Sequence, residues 1–248
     1  MNDKGIMFAT DKTIKEILEN ETKRLGNNAN LNHIDVSQVT DMGYLFYYSN
    51  FNGDISKWDV SNVISMNTMF FCSKFNGNIS NWNVENTKDM NNMFANSNFN
   101  GDISKWSISN VVDMCYMFQK TKFNRDISGW DVSKVRFVKG MFYDSKFNGN
   151  IEKWNLANVK SLDCLFEKSD FNGDISRWDV SNVESMNSVF LMSKFNRDIS
   201  DWNFKPNLII DDDLRRVIEN SHQRRKLIEC DELKLNLLNK VIRNPKSL

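Results

Sequence analysis

The sequence predicts a repeat solenoid, one coil of chain laid flat on the next. One side would be a parallel β-sheet of about eight short strands, the other side short helices or helical turns, with helical caps at both ends. Two observations carry this. The phrase Phe51-Asn52-Gly53-Asp54-Ile55-Ser56-Lys57-Trp58-Asp59-Val60-Ser61-Asn62-Val63 returns with its Phe at 75, 99, 123, 147, 171 and 195, every time 24 residues on. All seven tryptophans of the 248-residue chain share one phase of that repeat: Trp58, Trp82, Trp106, Trp130, Trp154, Trp178 and Trp202. A period in this range, free of insertions, marks a unit that cannot bury its own apolar face and must stack on copies of itself.

In chain order, residues 1–30 supply the N-terminal capping helix. It is expected to start at Thr10 or Asp11 and run to Leu25, with Gly26 as the stop and Ile14, Ile17, Leu18 and Leu25 on one face. An open end of a stack exposes strand edges and core side chains, so a cover is needed there. Residues 31–204 form the tandem array, from Leu31-x-x-Ile34-x-Val36 to Ile199-x-x-Trp202-x-Phe204. Within each coil, Ile55-x-x-Trp58-x-Val60 and its equivalents have the L-x-x-L-x-L spacing of a leucine-rich-repeat strand. Val63, Met66, Met69 and Phe70 then follow at three- and four-residue steps, a helical period, with Asp59, Ser61 and Asn62 placed to cap it. Ser73-Lys74-Phe75 is the return loop. Residues 205–248 read as a C-terminal helical cap or extension. Pro206 breaks the pattern, Asp211, Asp212 and Asp213 open a helix bearing Leu214, Val217 and Ile218, and a second helix carries Leu227, Leu235, Leu238, Val241 and Ile242.

Stacking turns like positions into columns. Phe46, Phe70, Phe94, Phe118, Phe142, Phe166 and Phe190 form one, and Met42, Met66, Met90, Met114, Val138, Leu162 and Met186 another. Columns of this kind read as core packing before they read as a cofactor box. Asn52-Gly53 suggests a hairpin turn, but a helical period precedes it and a strand pattern follows, so the hairpin is rejected. Arg125 and Arg197 replace the glycine of this column, and a bulky residue rarely takes positive φ; negative φ is therefore expected there. The preceding Asn is present in all seven copies (52, 76, 100, 124, 148, 172, 196), which suggests a ladder of amides satisfying loop backbone.

Charge and motifs exclude more than they assign. Lys+Arg and Asp+Glu number 32 each, so no nucleic-acid partner is expected. No apolar run reaches the roughly 18–20 residues of a membrane span, and no secretory signal is visible at the start. Cys72, Cys115, Cys164 and Cys230 lack the paired spacing of a metal site; they read as small apolar filler and mildly favour a reducing, cytoplasmic compartment. His33 and His222 lie far apart, and neither G-x-S-x-G nor H-E-x-x-H occurs, so no catalytic residue, cofactor or metal is assigned and no enzyme is expected. A calcium ladder on Asp54, Asn78, Asp102, Asp126, Asn150, Asp174 and Asp198 would offer at most one carboxylate per coil, whereas calcium wants six to eight oxygens, about.

The phrases FNGDISKWDVSNV and M-x-x-M-F, with the opening NLNHIDVSQVTDMGYLF, closely resemble the BspA-like leucine-rich-repeat surface protein family (bacterial surface protein tandem repeats). The resemblance covers residues 31–204 and the helix before them; it does not extend to 205–248. It implies a cell-surface or secreted, non-enzymatic protein acting in adhesion and in binding a protein partner. Members often carry a signal peptide or lipid-attachment cysteine, and neither is visible here.

Two surfaces are candidates for that partner. The column Lys57, Asn81, Lys105, Gly129, Lys153, Arg177 and Asp201 varies between copies while its neighbours barely do. From this side Lys57, Asp59, Lys105, Asp131, Lys153, Arg177 and Asp179 are the candidates; the alternative is an interleaved charge lattice that keeps stacked carboxylates apart. On the other side Tyr44, Tyr47, Tyr48, Phe71 and Tyr143 are aromatics outside the core columns, either exposed for contact or half-buried under the cap. The rival function is a glycan-binding module using a Trp or Tyr row, decided by whether the tryptophans face water.

Overall fold

A computed structural model describes residues 5–206 and 208–221. The expected second C-terminal helix, with Arg224, Arg225 and Lys226 before it, lies outside them. The elements in order are strand β1 (Met7–Phe8), helix α1 (Ile14–Leu25), strand β2 (Ile34–Asp35) and helix α2 (212–221). β1 pairs in parallel with β2, Met7 opposite Ile34 and Phe8 opposite Asp35. α1 begins at Ile14 because Thr10 to Thr13 closes on itself as a turn, the Thr13 amide donating to the Thr10 carbonyl at 3.0 Å. It ends where Gly26 takes φ +89°, a conformation open to glycine at no steric cost. Ile14 and Leu18 are buried against the first coil.

The segment expected as a helix in each coil is a run of tight turns. The Met69, Phe71 and Ser73 amides donate three residues back, to Met66, Thr68 and Phe70, at 3.3, 3.2 and 3.1 Å. The amides between them leave the coil altogether. Met66, Thr68, Phe70 and Cys72 donate to the carbonyls of Asp89, Asn91, Met93 and Ala95 in the next coil, at 2.9, 2.7, 2.8 and 2.9 Å. An α-helix would spend those amides internally and leave successive coils unpaired. The turns require left-handed backbone twice per coil, and it falls on two columns. One holds Tyr44, Thr68, Asn92, Tyr116, Gly140, Cys164 and Ser188; the other holds Tyr48, Cys72, Asn96, Lys120, Asp144, Lys168 and Met192.

The opposite side also departs from expectation. Apart from β2, Ile55-x-x-Trp58-x-Val60 and its equivalents are turns among the described residues: the Trp58 amide donates to Ile55 and the Val63 amide to Val60, at 3.2 and 2.9 Å. Apart from Asn30 with Asp54, the isolated parallel bridges among the described residues lie at the start of the turn run, joining Asp41 to Ser65, Ser65 to Asp89, Asp89 to Asp113, Asp113 to Phe137 and Ser161 to Ser185. Backbone pairing thus concentrates on the side whose spacing reads as helical.

Side chains complete the stack. Phe70 and Phe94 lie 5.7 Å apart at 1° between planes, and Phe94 and Phe118 5.8 Å apart at 8°. Each indole donates from Nε1 to a carbonyl one coil back: Trp82 to Ile55, Trp106 to Ile79, Trp130 to Ile103, at 3.1–3.2 Å. The asparagine ladder forms as the sequence suggests. Asn52, Asn76, Asn100, Asn124, Asn148 and Asn172 each accept the amide of the next asparagine in the column, at 2.7–3.1 Å. Gly53, Arg125 and Arg197 keep negative φ, as their column predicts, and the Arg125 and Arg197 Nε groups donate to the Asn100 and Asn172 carbonyls, both at 2.9 Å.

A left-handed residue other than glycine costs about 1–2 kcal/mol, and glycine returns part of any gain as chain entropy. Lys120, exposed at φ +52° with its amide on the Tyr143 carbonyl, is the cleanest place to test this. Lys120→Gly is expected to stabilise the fold by about 0.5–1 kcal/mol and raise Tm by about 1–4 °C. A lower Tm by calorimetry would mean that the turns are not what binds coil to coil.

Candidate interaction surfaces

The candidate residues of the Trp side are all exposed, but they differ in what they do. Asp59, Asp131 and Asp179 each accept from the backbone two residues on, at Ser61, Ser133 and Ser181, at 3.0–3.1 Å. Asn83 and Asn155 do the same at the same column. These aspartates therefore close an Asx turn, and hydrogen bonds from the serine side chain and amide hold all three below the usual carboxylate range. The Asp54 column repeats the device, with Asp54, Asp102, Asp126 and Asp174 accepting the amides of Ser56, Ser104, Ser128 and Ser176. Spacing alone hides this commitment, though an Asp or Asn two residues before a serine is its signal. Lys57, Lys105 and Lys153 make no ion pair among the described residues, while Arg177 reaches Glu152 at 3.4 Å.

The tryptophans of this side are 3–5% exposed. Trp58 stacks on Trp82, 6.4 Å apart at 4°, and Trp178 on Trp202, 6.4 Å apart at 8°, and the indole N–H groups are spent on backbone carbonyls. They offer no platform for a sugar ring. Cys115 and Cys164 are poor nucleophiles: burial first, then Asp113, pushes the Cys115 thiol up to about 12, and burial with Glu167 pushes Cys164 up to about 11.

The first coil presents the aromatic cluster. Tyr44, Tyr47 and Tyr48 are 56%, 46% and 63% exposed. Tyr47 sits at the centre, 5.6 Å from Tyr44, 4.6 Å edge-on from Tyr48 and 5.4 Å in a stack with Phe71. The Cys72 thiol and Tyr47 push the Tyr48 hydroxyl above its usual range. Tyr143 lies four coils along, its hydroxyl 3.0 Å from the Lys168 ammonium. Beside Tyr44 and Tyr47 runs a groove of about 470 Å³ whose other wall is α1, at Lys15, Leu18, Glu19 and Thr22.

That groove follows an edge of distinctive chemistry. In later coils the carbonyls of the turn run accept amides from the coil before, as Asp89, Asn91, Met93 and Ala95 do. The first coil is preceded, among the described residues, by α1 and not by a coil. Among the described residues its equivalents, the carbonyls of Asp41, Gly43, Leu45 and Tyr47, accept no hydrogen bond. The neighbouring amides of Thr40 and Asp41, which would otherwise be orphaned, donate to the Asp11 carboxylate at 2.7 and 3.1 Å, and the Thr40 hydroxyl adds a third bond at 2.7 Å. A second clamp fixes α1: buried Glu21 accepts from Arg24 at 2.5 and 2.9 Å and meets His33 Nε2 at 2.8 Å. At the far end Asp211 accepts the Ser188 amide with one oxygen and the Leu214 amide, in the first turn of α2, with the other.

No helix among the described residues is long and apolar enough to cross a membrane, and no group of three or more His, Cys, Asp or Glu among them could hold a metal ion. A protein-family model described as "Mycoplasma protein of unknown function, DUF285" matches residues 12–122, 95–170 and 120–222. The overlapping matches reflect the internal period. Neither the curated proteins nor the solved structures contain a match.

Proposed function

The chain belongs to the family described as Mycoplasma protein of unknown function, DUF285, and from the pattern of its columns we propose that it is a non-enzymatic scaffold. On this reading it is a leucine-rich-repeat-like solenoid of BspA-like character that binds a protein partner through its surface. The observation that carries the reading is a division of labour among the columns. Positions that repeat from coil to coil, the Asn52, Asp54, Trp58 and Asp59 columns among them, have their polar atoms engaged in holding the stack. The column that varies, with Lys57, Lys105, Lys153 and Arg177, projects cations that the stack does not use, apart from the Arg177–Glu152 pair. Rigid spacing with variable chemistry is what a docking surface needs.

Burial of the tryptophans weighs against the glycan alternative, which would have to rest on Tyr44, Tyr47 and Tyr48. Adhesion at a cell surface is the biological setting we propose from the sequence resemblance. The test is reversal of charge in the column. Lys57→Glu, Lys105→Glu and Lys153→Glu together are expected to weaken a partner captured on the immobilised chain by about tenfold or more, with tryptophan emission unchanged. Undiminished capture would remove this column from the reading.

A further inference from the structure

We infer that the groove between α1 and the first coil binds arginine side chains presented by a basic peptide. This uses a surface separate from the lysine column and stands on different observations. The edge beside the groove is acceptor-only along Asp41, Gly43, Leu45 and Tyr47, the last two lining the groove itself, because these carbonyls occupy positions that receive amides in the coils that follow, Ser161 excepted. An ordinary extended strand alternates N–H and C=O along its edge, so half of its groups would meet these carbonyls oxygen to oxygen. Simple strand addition is therefore a poor fit. A guanidinium carries five donors and no acceptor, and suits a row of carbonyls.

The groove wall makes the same selection. Tyr44 and Tyr47 hold exposed rings next to the carbonyl row, and a planar cation stacks on such a ring while donating in its own plane. Lys15 and Glu19 both line the wall, one cation and one anion, so its formal side-chain charge sums to zero. What remains is carbonyl dipoles and ring faces, a combination that ranks arginine above lysine and repels carboxylates. The carboxylate of Asp41, whose carbonyl belongs to the row, uses one oxygen on the Gly43 amide at 2.8 Å.

The experiment titrates the full chain into fluorescein-labelled hexa-arginine at about 0.15 M salt and reads anisotropy, with hexa-lysine and hexa-citrulline in parallel. Saturable hexa-arginine binding is expected, about tenfold tighter than hexa-lysine and undetectable for hexa-citrulline. Tyr47→Ala should weaken it by about tenfold, Tyr47→Leu nearly as much, and Asp131→Ala not at all. Tyr47 is exposed, and unchanged tryptophan emission will certify the variants. Equal affinity for both polycations, or indifference to both Tyr47 variants, would overturn the inference and leave adventitious charge attraction; so would an absence of saturable binding. The triple lysine reversal should not alter hexa-arginine binding, so failure of the lysine-column reading and failure of this one are separable.

Discussion

Phe118→Ala should lower the free energy of unfolding by about 3–5 kcal/mol, the cost of emptying a fully enclosed aromatic site that cannot collapse. Phe118 is 0% exposed. It is sandwiched between Phe94 and Phe142 of the adjoining coils at 5.8 and 5.9 Å, and lies flat on Phe123 at 4.0 Å. A cavity there weakens the interfaces on both of its sides. In a chain whose stability is a sum of nearest-neighbour terms, that places a weak point in the middle of the array. Phe46 is the control. It stacks on Phe51 at 4.8 Å and on Phe70 at 5.3 Å, but it belongs to the first coil and has a neighbouring coil on one side only. Phe46→Ala is expected to cost about 2–3 kcal/mol. Urea titrations should therefore rank 118 above 46, and the interior variant should lose two-state behaviour as its halves separate. A smaller effect at 118 than at 46 would show that neighbouring coils are not the unit of cooperation.

What the sequence could tell of this architecture follows from what kind of property each feature is. Trp58 and its six equivalents, Phe70 and its column, and the Asn52 ladder are residue identities on a fixed period, so they can be read directly. The state of the segment between Val63 and Ser73 cannot be read that way. Apolar residues at 63, 66, 69 and 70 satisfy a helix and a run of tight turns equally well. The deciding fact is where the amides of Met66, Thr68, Phe70 and Cys72 go, which is a relation between coils. Thr68 and Tyr116 are poor residues for left-handed backbone, and their column hides its nature except at Asn92 and Gly140; the Lys120 column hides its own except at Asn96 and Asp144. At Gly140 the φ is +58°, and a Cβ would sit 2.3 Å from the Tyr116 ring. The surfaces divide likewise. Exposure of Lys57, Lys105 and Lys153 follows from strand-like alternation even though the strand does not form. The engagement of Asp59, Asp131 and Asp179 in turns was readable from the Ser61, Ser133 and Ser181 that follow them. The carbonyl edge at Asp41, Gly43, Leu45 and Tyr47 depends only on being first in the stack, and no residue type announces it.

Being first in the stack also makes that end the acid-sensitive one. α1 and the segment leading into it are tied to the first coil through two carboxylates. Hydrogen bonding from Arg24, opposed by burial and helped by His33, holds Glu21 below its ordinary value of 4.5. At Asp11 burial pulls upward, but the Thr40 side chain and the Thr40 and Asp41 amides outweigh it, and the group stays below 3.8. A carboxylate lowered in the folded state contributes stability that is complete above its unfolded value and is lost as pH falls through its folded value. These clamps should therefore be intact at neutral pH, begin to weaken below about pH 4.5 and fail at lower pH. Glu21→Ala is expected to cost about 2–3 kcal/mol at pH 7, at or below the low end for a broken buried pair because Arg24 keeps water on its outer side. The gap between wild type and variant should narrow steadily as pH falls toward 3, since acid removes from the wild type what the substitution has already removed from the variant. Hydrogen exchange should locate the loss in α1 while the Trp106 and Trp130 indoles, bonded coil to coil at 3.1 and 3.2 Å, stay protected. A gap that stays constant with pH would mean that Glu21 acts there by its shape alone.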